Sequence, residues 1–538
     1  MFGQNKIKPN KNNRKEAGMA PNNQSSRVVG EGTTTNGSPS HVEGFNITAK
    51  VSSGPLAHEE GYGTTASGGA SHAEGIFTTS SGIASHAEGS GSKAIGRSSH
   101  AEGGPGFLKN GKGIQSTAQG EYAHAEGGGG QASGDTSHAE GNLTISGGNM
   151  SHAEGNLSTA SGNAAHAEGK RTAASGLASH AEGESTDAIG EVSHAEGRDT
   201  IAFMDAAHAE GERTTASGLA SHAEGERTTA IGYFSHVEGF QTKSKGKAAH
   251  AEGEGTIAES NSSHAEGKGT KASSLYSHAE GFSTLSSGLA SHAEGWHTTA
   301  NRLASHAEGM DTASNLPGSH IMGRFGVTTD NYSWHLANGT SLTNLSLAAK
   351  ILNNGRGIAD NGWIAGNADY AEMFETVDRK PIGFGYFVTL EGKKIRKVKT
   401  TDEYILGIVT ANPAFLADSG ELRWKGKYVT DEWGRVQYHN VVIPVEKDKD
   451  GNVIIPERTE KQPILNPDWD HTREYIPRSN RSEWEKVGLF GKLRVRDDGR
   501  CQVNGYCKPN ADGIATDSHK GYRVMERIGP NQILILFR

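Results

Sequence analysis

The sequence predicts an all-β protein in two parts: a repetitive β-solenoid or β-roll, then a compact, mainly β C-terminal domain. Three observations carry this reading. Twenty of the 25 histidines follow one repeat, and those from His124 to His320 are spaced by 14 residues without exception. Large apolar residues are scarce. The chain has 25 Leu, 28 Ile, 21 Val and 15 Phe in 538 residues, or about 17%, below the ~20% at which an ordinary core becomes rare. Finally, composition changes after about residue 326, and five of the seven tryptophans lie from Trp363 onward.

Residues 1–37 are Asn/Lys-rich and read as a flexible attachment arm. They lack the apolar stretch of a signal peptide, so Sec export is not expected. Residues 38–325 hold the repeat. A representative unit is RTTASGLASHAEGE, Arg213 to Glu226. It reads as two short extended segments, TTAS and SHAEG, separated by glycine turns. Fourteen residues are too few for a helical-hairpin repeat and suit one two-stranded coil of a solenoid. About twenty coils, each advancing by ~4.8 Å, give a length on the order of 95 Å. Small residues such as Ala220, Ser221, Ala223 and Gly225 let backbones approach closely. Ladder hydrogen bonds then carry more of the order than a bulky core does, and oligomerisation is the usual remedy for so thin a core. Ten extra residues between His100 and His124 put a protruding loop at Gly103–Gln119, a contact site or a tolerated insertion.

The 14-residue unit, with its terminal Ser-x-Ala-x-Gly, resembles the head repeats of trimeric autotransporter adhesins of the YadA type. The resemblance covers 38–325 and implies a left-handed β-roll with three chains side by side. It differs in residue type, since that family has Val and Ile where this chain has His and Glu. The last unit, SHIMG at Ser319 to Gly323, returns toward the apolar pattern, as a capping coil does.

His and Glu of SHAEG are two residues apart and share one strand face. The resemblance points that face inward, toward the roll core or a trimer axis. The plain reading is a structural ladder in which each His hydrogen-bonds a Glu. Two alternatives use the same residues: a zinc- or nickel-binding array, and a pH switch, because histidine titrates near neutrality. A site repeated some twenty times is a lattice rather than a catalytic pocket. No cofactor and no dedicated metal site are expected.

Residues 326–363 form a connector with one short helix expected near Leu345–Leu352. Residues 364–538 show strand patterns at GYFVTL (385–390), YILGIVT (404–410), NVVIPV (440–445) and ILILF (533–537). Turn signals at Asp448-Lys449-Asp450-Gly451 and Asp497-Asp498-Gly499 separate such segments. Cys501 and Cys507 are the only cysteines and read as strand residues near a hairpin, not a redox pair or a disulfide framework. His439, His471 and His519 read as structural.

The join reads Gly366-Asn367-Ala368-Asp369-Tyr370-Ala371-Glu372-Met373-Phe374-Glu375. It resembles the start of the self-cleaving intramolecular chaperone domain of tailed-phage preneck appendages and related tail spikes. The likeness continues through WKGKYVTDEWGRV, RSEWEKVGLFGKLRVRDDGRC and GYRVMERIGPNQILILF. It implies a domain that trimerises, sets the register of the upstream β-structure, and then cuts itself off. The catalytic carboxylates implied by matching positions are Asp369 and Glu372. The scissile bond falls within Asn367, Ala368 and Asp369. Two neighbouring carboxylates can divide acid and base roles, and intramolecular attack gains a large effective molarity. Asn367 offers a second route, by attack of its own side-chain amide to form a succinimide.

These parts predict a homotrimeric fibre or appendage of a phage or prophage, matured by autoproteolysis and assembled in the host cytoplasm into the virion. A host-surface receptor or glycan is its expected partner. A cell- or spore-surface adhesin, or a glycan-degrading tail spike, is the alternative. No apolar run approaches the ~18 residues of a membrane helix, so no membrane insertion is expected. A net charge of −9 speaks against nucleic acid as a partner. A repetitive rod with nearly identical coils also has weakly specified register, which explains why it would need a removable guide.

Overall fold

The computed structural model describes residues 27–30, 34–35, 41–45, 48–49 and 56–538, apart from 421, 423, 425, 448–450, 452, 456, 471 and 473. Most of the expected arm, most of the turn at 448–451, and His471 lie outside the described residues. The chain divides into two units, Met1–Asp360 and Asn361–Arg538. Apart from one 3-10 turn at Arg478–Asn480, the assigned elements are all β-strands.

In the first unit each coil contributes two strands. One begins at the ladder histidine, as in His222–Ala223 or the longer His180–Glu184. The other begins seven residues later, as in Thr229–Ala230. Successive coils pair in parallel and in register: His208 with His222, His222 with His236, Thr215 with Thr229. One 14-residue period is therefore one full coil.

The interior is filled by small side chains. Ala216, Ala223 and Ala230 are fully buried, flanked by Ser221 and Thr228. Buried serines satisfy themselves against the turn, as Ser221 Oγ does by donating to the Gly218 carbonyl at 2.7 Å. The shortage of Leu and Ile follows directly, because coils stacked this closely fill these columns mostly with small side chains. Gly225 marks the tightest approach. Its φ is +99°, and a Cβ there would stand 2.2 Å from the Gly239 carbonyl oxygen. Each coil also places non-glycine residues in left-handed conformation, such as Arg213 (φ 57°) and Ala220 (φ 48°). Ala220 is thus an exposed turn residue, not part of the close-packed interior.

The stack starts earlier than the repeat pattern suggests. Arg27–Val29 pairs in parallel with His41–Phe45, with Arg27 opposite His41. The insertion forms an antiparallel hairpin, Gly106–Phe107 against Gly113–Ile114, and leaves Phe107 65% exposed. At the other end Ile321 replaces alanine in the buried column. His320–Val327 still pairs in parallel with Trp334–Asn338. Then the direction reverses. Leu347–Ile351 runs antiparallel to Trp334–Asn338, and Gly357–Ala359 adds beside it.

The expectation of a helix near Leu345–Leu352 is therefore corrected. Its Leu, Ala and Lys residues favour a helix locally, but the open edge of Trp334–Asn338 offers backbone partners that a lone turn of helix cannot match.

The second unit is built on one ten-stranded sheet. Its spine is the 13-residue strand Trp484–Arg496. The N-terminal half of this strand pairs with Asp369–Glu375 and with Gly407–Val409; the C-terminal half pairs with Gln532–Phe537. Phe387, Ile408, Leu493, Val495, Ile533 and Ile535 close the core around it. Cys501 and Cys507 are buried and unbridged. Burial pushes both thiols up to about 12, which suits packing residues and not a redox pair.

Candidate cleavage site and the histidine–glutamate ladder

The segment that precedes the first strand of the C-terminal unit is held at several points. Asn367 Nδ2 donates to the Asn412 carbonyl at 2.8 Å. The Ala368 carbonyl accepts from the Lys492 N–H at 3.2 Å. Gly491, with φ +117°, sits so close that a Cβ would meet the Ala368 oxygen at 2.2 Å and the Asp369 Cα at 2.8 Å. The Ala368–Asp369 peptide is thus pressed flat against the spine strand, with a backbone donor on its carbonyl oxygen. Such a donor stabilises charge that develops on that oxygen during attack at the carbonyl carbon.

Asp369 is 7% exposed. Its Oδ2 accepts from Thr410 Oγ1 at 2.9 Å, and its Oδ1 from the Ala414 N–H at 3.2 Å. Its carbonyl also accepts from Ala414 N–H at 2.9 Å. Asp369, Ala371 and Met373 alternate along the buried face of Asp369–Glu375. Glu372 belongs to the other face, with Tyr370. There the Tyr370 hydroxyl donates to Glu372 Oε1 at 2.7 Å, and this bond raises the Tyr370 pKa. The structure brings Asp369 to the candidate bond and does not bring Glu372 onto the same face. Thr410, Asn412, Gly491 and Lys492 escaped the sequence reading. They lie 40 or more residues away along the chain, and no local pattern marks them.

In the first unit the alanine between His and Glu takes the core, and His and Glu lie on the opposite, half-exposed face. The expectation that this face points into the roll core is corrected: the interior column is filled by the residue between them, alanine in most coils, with Val237 and Ile321 as larger occupants. The hydrogen-bonded ladder is corrected too. His Nε2 and Glu Oε2 within a unit stand 3.5 Å apart at His222–Glu224, 3.6 Å at His180–Glu182 and 3.9 Å at His86–Glu88, beyond the ~2.7–3.2 Å of a good hydrogen bond. The imidazoles instead stack on one another along the coil axis. Ring centroids are 4.8 Å apart at His180–His194 and 4.7 Å at His208–His222, within 10° of parallel. The coil spacing enforces this stacking. Burial, and then the neighbouring histidines, lower the pKa of rings such as His152, His180, His222 and His250.

A β-solenoid of alanine-filled coils thus comes before a sheet domain whose first strand begins at a tightly packed peptide. Comparison with known families agrees. Residues 326–531 match the Peptidase_G2 family, the intramolecular chaperone autoproteolytic cleavage domain, and residues 209–235 match two copies of the YadA head domain repeat. The chain therefore carries a domain that matches the autoproteolytic cleavage family, preceded by repeats that match the YadA type. The pre-neck appendage protein of Bacillus phage B103 is 36% identical over 183 residues, 34% of this chain and 20% of that protein. That of Bacillus phage phi29 is 36% identical over 166 residues, 30% of this chain and 18% of that protein. The putative phage-related protein YobO of Bacillus subtilis strain 168 is 34% identical over 177 residues, 31% of this chain and 20% of that protein. The chain spans about a fifth of the length of these relatives. Among solved structures, a C-terminal fragment of bacteriophage phi29 gene product 12 is 32% identical, with a TM-score of 0.26, covering 32% of this chain and all of the fragment. The pre-mature phi29 gene product 12 is 16% identical, with a TM-score of 0.41, covering 95% of this chain and 58% of that one.

Proposed function

We propose that the chain is a homotrimeric phage or prophage appendage, a virion component whose C-terminal domain aligns three stalks and then releases itself by hydrolysing the Ala368–Asp369 bond. The observation that carries this reading is the grip on that peptide: Gly491 packed against it, and Lys492 N–H on its carbonyl oxygen. In the reaction, water adds to the Ala368 carbonyl carbon and gives up a proton to one carboxylate. The C–N bond breaks as a second carboxyl protonates the Asp369 nitrogen, leaving a free carboxylate on Ala368 and a free amine on Asp369. Asp369 adjoins the bond. Glu372 points outward from its own strand, so the second carboxyl comes from a neighbouring chain. Cleavage then depends on assembly, and the guide leaves only once its work is complete. The freed stalk is kinetically trapped, because refolding lacks its guide. A host-surface receptor or glycan is the stalk's target.

The test is intact-mass analysis of the expressed full chain, together with co-expression of two variants. Wild type yields fragments 1–368 and 369–538. Asp369→Asn and Glu372→Gln each stay uncut alone. Co-expressed, they recover partial cleavage in mixed trimers. A wild-type chain that stays whole as an assembled trimer overturns the reading, and cleavage of a monomer overturns its dependence on a neighbour.

A further inference from the structure

Outside the cleavage site, the ladder is the largest set of unspent chemistry in the molecule. The ladder histidines carry Nε2 atoms that solvent does not reach and that have no hydrogen-bond partner, among them His222, His250, His264 and His278. An imidazole nitrogen shielded in this way is costly unless something fills the gap. What faces it is a carboxylate oxygen, at 3.5 Å from His222, 3.4 Å from His250 and 3.3 Å from His264. The ring of the next coil lies beyond, 4.8 Å away at His250–His264. Sixteen groups of at least three metal-capable side chains, His72 with Glu74 and His86 among them, place their donor atoms within 4.8 Å of one another among the described residues.

These distances sort the candidates. They are loose for a hydrogen bond. They fit two ligands of one tetrahedral cation: bonds of about 2.0–2.1 Å to nitrogen and oxygen put neighbouring donors about 3.4 Å apart. The donor set, neutral imidazole plus carboxylate, suits zinc, nickel or cobalt and not calcium or magnesium, which take all-oxygen shells. Access is open. A continuous groove runs along the carboxylates, lined by Glu266, Glu280, Glu294 and Glu308 beside the Gly281–Gly309 column.

We infer that the stalk binds divalent transition cations along this ladder, each held by the Nε2 of a ladder histidine, the carboxylate two residues on, and the histidine one coil above. Parallel rings 4.8 Å apart aim their Nε2 lone pairs along parallel lines, so the upper ring rotates out of the stack about its side-chain torsions to bring the third donor in, and water completes the shell. Each ion consumes two rings, and like charges one coil apart repel. Occupancy therefore saturates at no more than one ion for every two histidines. The ions bridge successive coils and so clamp the register that identical repeats leave weakly specified. The inference stands on the first unit alone and is independent of the cleavage reading.

The experiment uses the untagged full chain, freed of metal with a chelator and titrated with cobalt(II) alone. Uptake should saturate at or below one ion per two ladder histidines. It should give the strong visible d–d absorption of four-coordinate cobalt and raise the melting temperature of the stalk. Zinc should displace the cobalt and bleach the band. A block variant, Glu252→Gln, Glu266→Gln and Glu280→Gln, alters half-exposed side chains without changing their size. It should reduce uptake in proportion and leave the fold's circular dichroism unchanged. A weak band typical of hydrated six-coordinate cobalt, or full uptake by the glutamine block, overturns the proposal, because binding is then adventitious to surface histidines. So does an unshifted melting temperature at saturation.

Discussion

Gly491 lies against Ala368 so closely that even a methyl group at its α-carbon would stand 2.2 Å from the Ala368 carbonyl oxygen. The contact ties the spine strand of the C-terminal unit to the peptide we assign as scissile. Gly491 also has φ +117°, where L side chains are strained. Gly491→Ala should therefore displace the Ala368–Asp369 peptide from the Lys492 N–H. Loss of one donor of this kind costs about 10²–10³ in rate. A time course of intact mass should show cleavage slowed by at least tenfold, with fragments of unchanged mass.

Thr410 holds Asp369 through a 2.9 Å hydrogen bond to Oδ2. Thr410→Val keeps the shape and removes the donor. A hydrogen bond to a charged group is worth about 1.5–3 kcal/mol, and its loss leaves the carboxyl free to turn away from the Ala368–Asp369 peptide. The variant should cleave more slowly at fixed pH and give fragments of unchanged mass, while Thr410→Ser, which keeps the hydroxyl, should recover most of the rate; failure of the serine to rescue would refute the role.

Glu59 occupies a position where other coils place alanine, and it is fully buried. Ala66 N–H donates to its carboxyl, yet desolvation raises its pKa to about 7. The folded pKa lies above the unfolded one, so folding favours the protonated form. The stability this provides is complete below the ordinary carboxylate range and is lost as pH rises toward 7. Glu59→Ala should stabilise the first coils at pH 8 by about 1–3 kcal/mol and flatten their pH dependence between 4.5 and 7. Hydrogen exchange of residues 56–80 at several pH values reads this directly. Equal pH dependence in wild type and variant would refute it.

The ladder should give the opposite slope. Burial, and then the charge of neighbouring histidines, lower the pKa of His152, His180, His222 and His250 in the folded stalk. The unfolded chain then binds protons more readily. Stability is present above the unfolded value near 6.5 and declines as pH falls through it. In buffer containing a chelator, thermal melting of the stalk should drop by about 5 °C or more between pH 7.5 and 5.0. A melting temperature that is flat over this range would mean that the glutamates offset the repulsion of stacked imidazolium rings.

Much of the molecule was legible beforehand because its order is periodic. A histidine every 14 residues can mean little else than one coil per period, and the scarcity of Leu and Ile already implied an interior of small side chains. The strands at Phe387–Glu391 and Gln532–Phe537 were visible as alternating apolar runs. What escaped notice was non-local. Leu347–Ile351 looked helical until its edge partner was known. Positive φ at Ala220 and Arg213 leaves no trace in residue type.

By itself, the sequence determined the coil, its repeat, the class of the C-terminal domain and the short segment that holds the candidate bond. Each of these depends on residues near one another along the chain, or on spacing that recurs. Tertiary structure alone decided which way the repeated residues face. It put Ala223 in the core and His222 outside, because the interior column takes compact side chains and not a ring. It also decided that Asp369 and Glu372 part company, because a strand turns side chains three residues apart to opposite faces. And it set Gly491 and Thr410 around Asp369, since a sheet gathers partners from more than a hundred residues of chain.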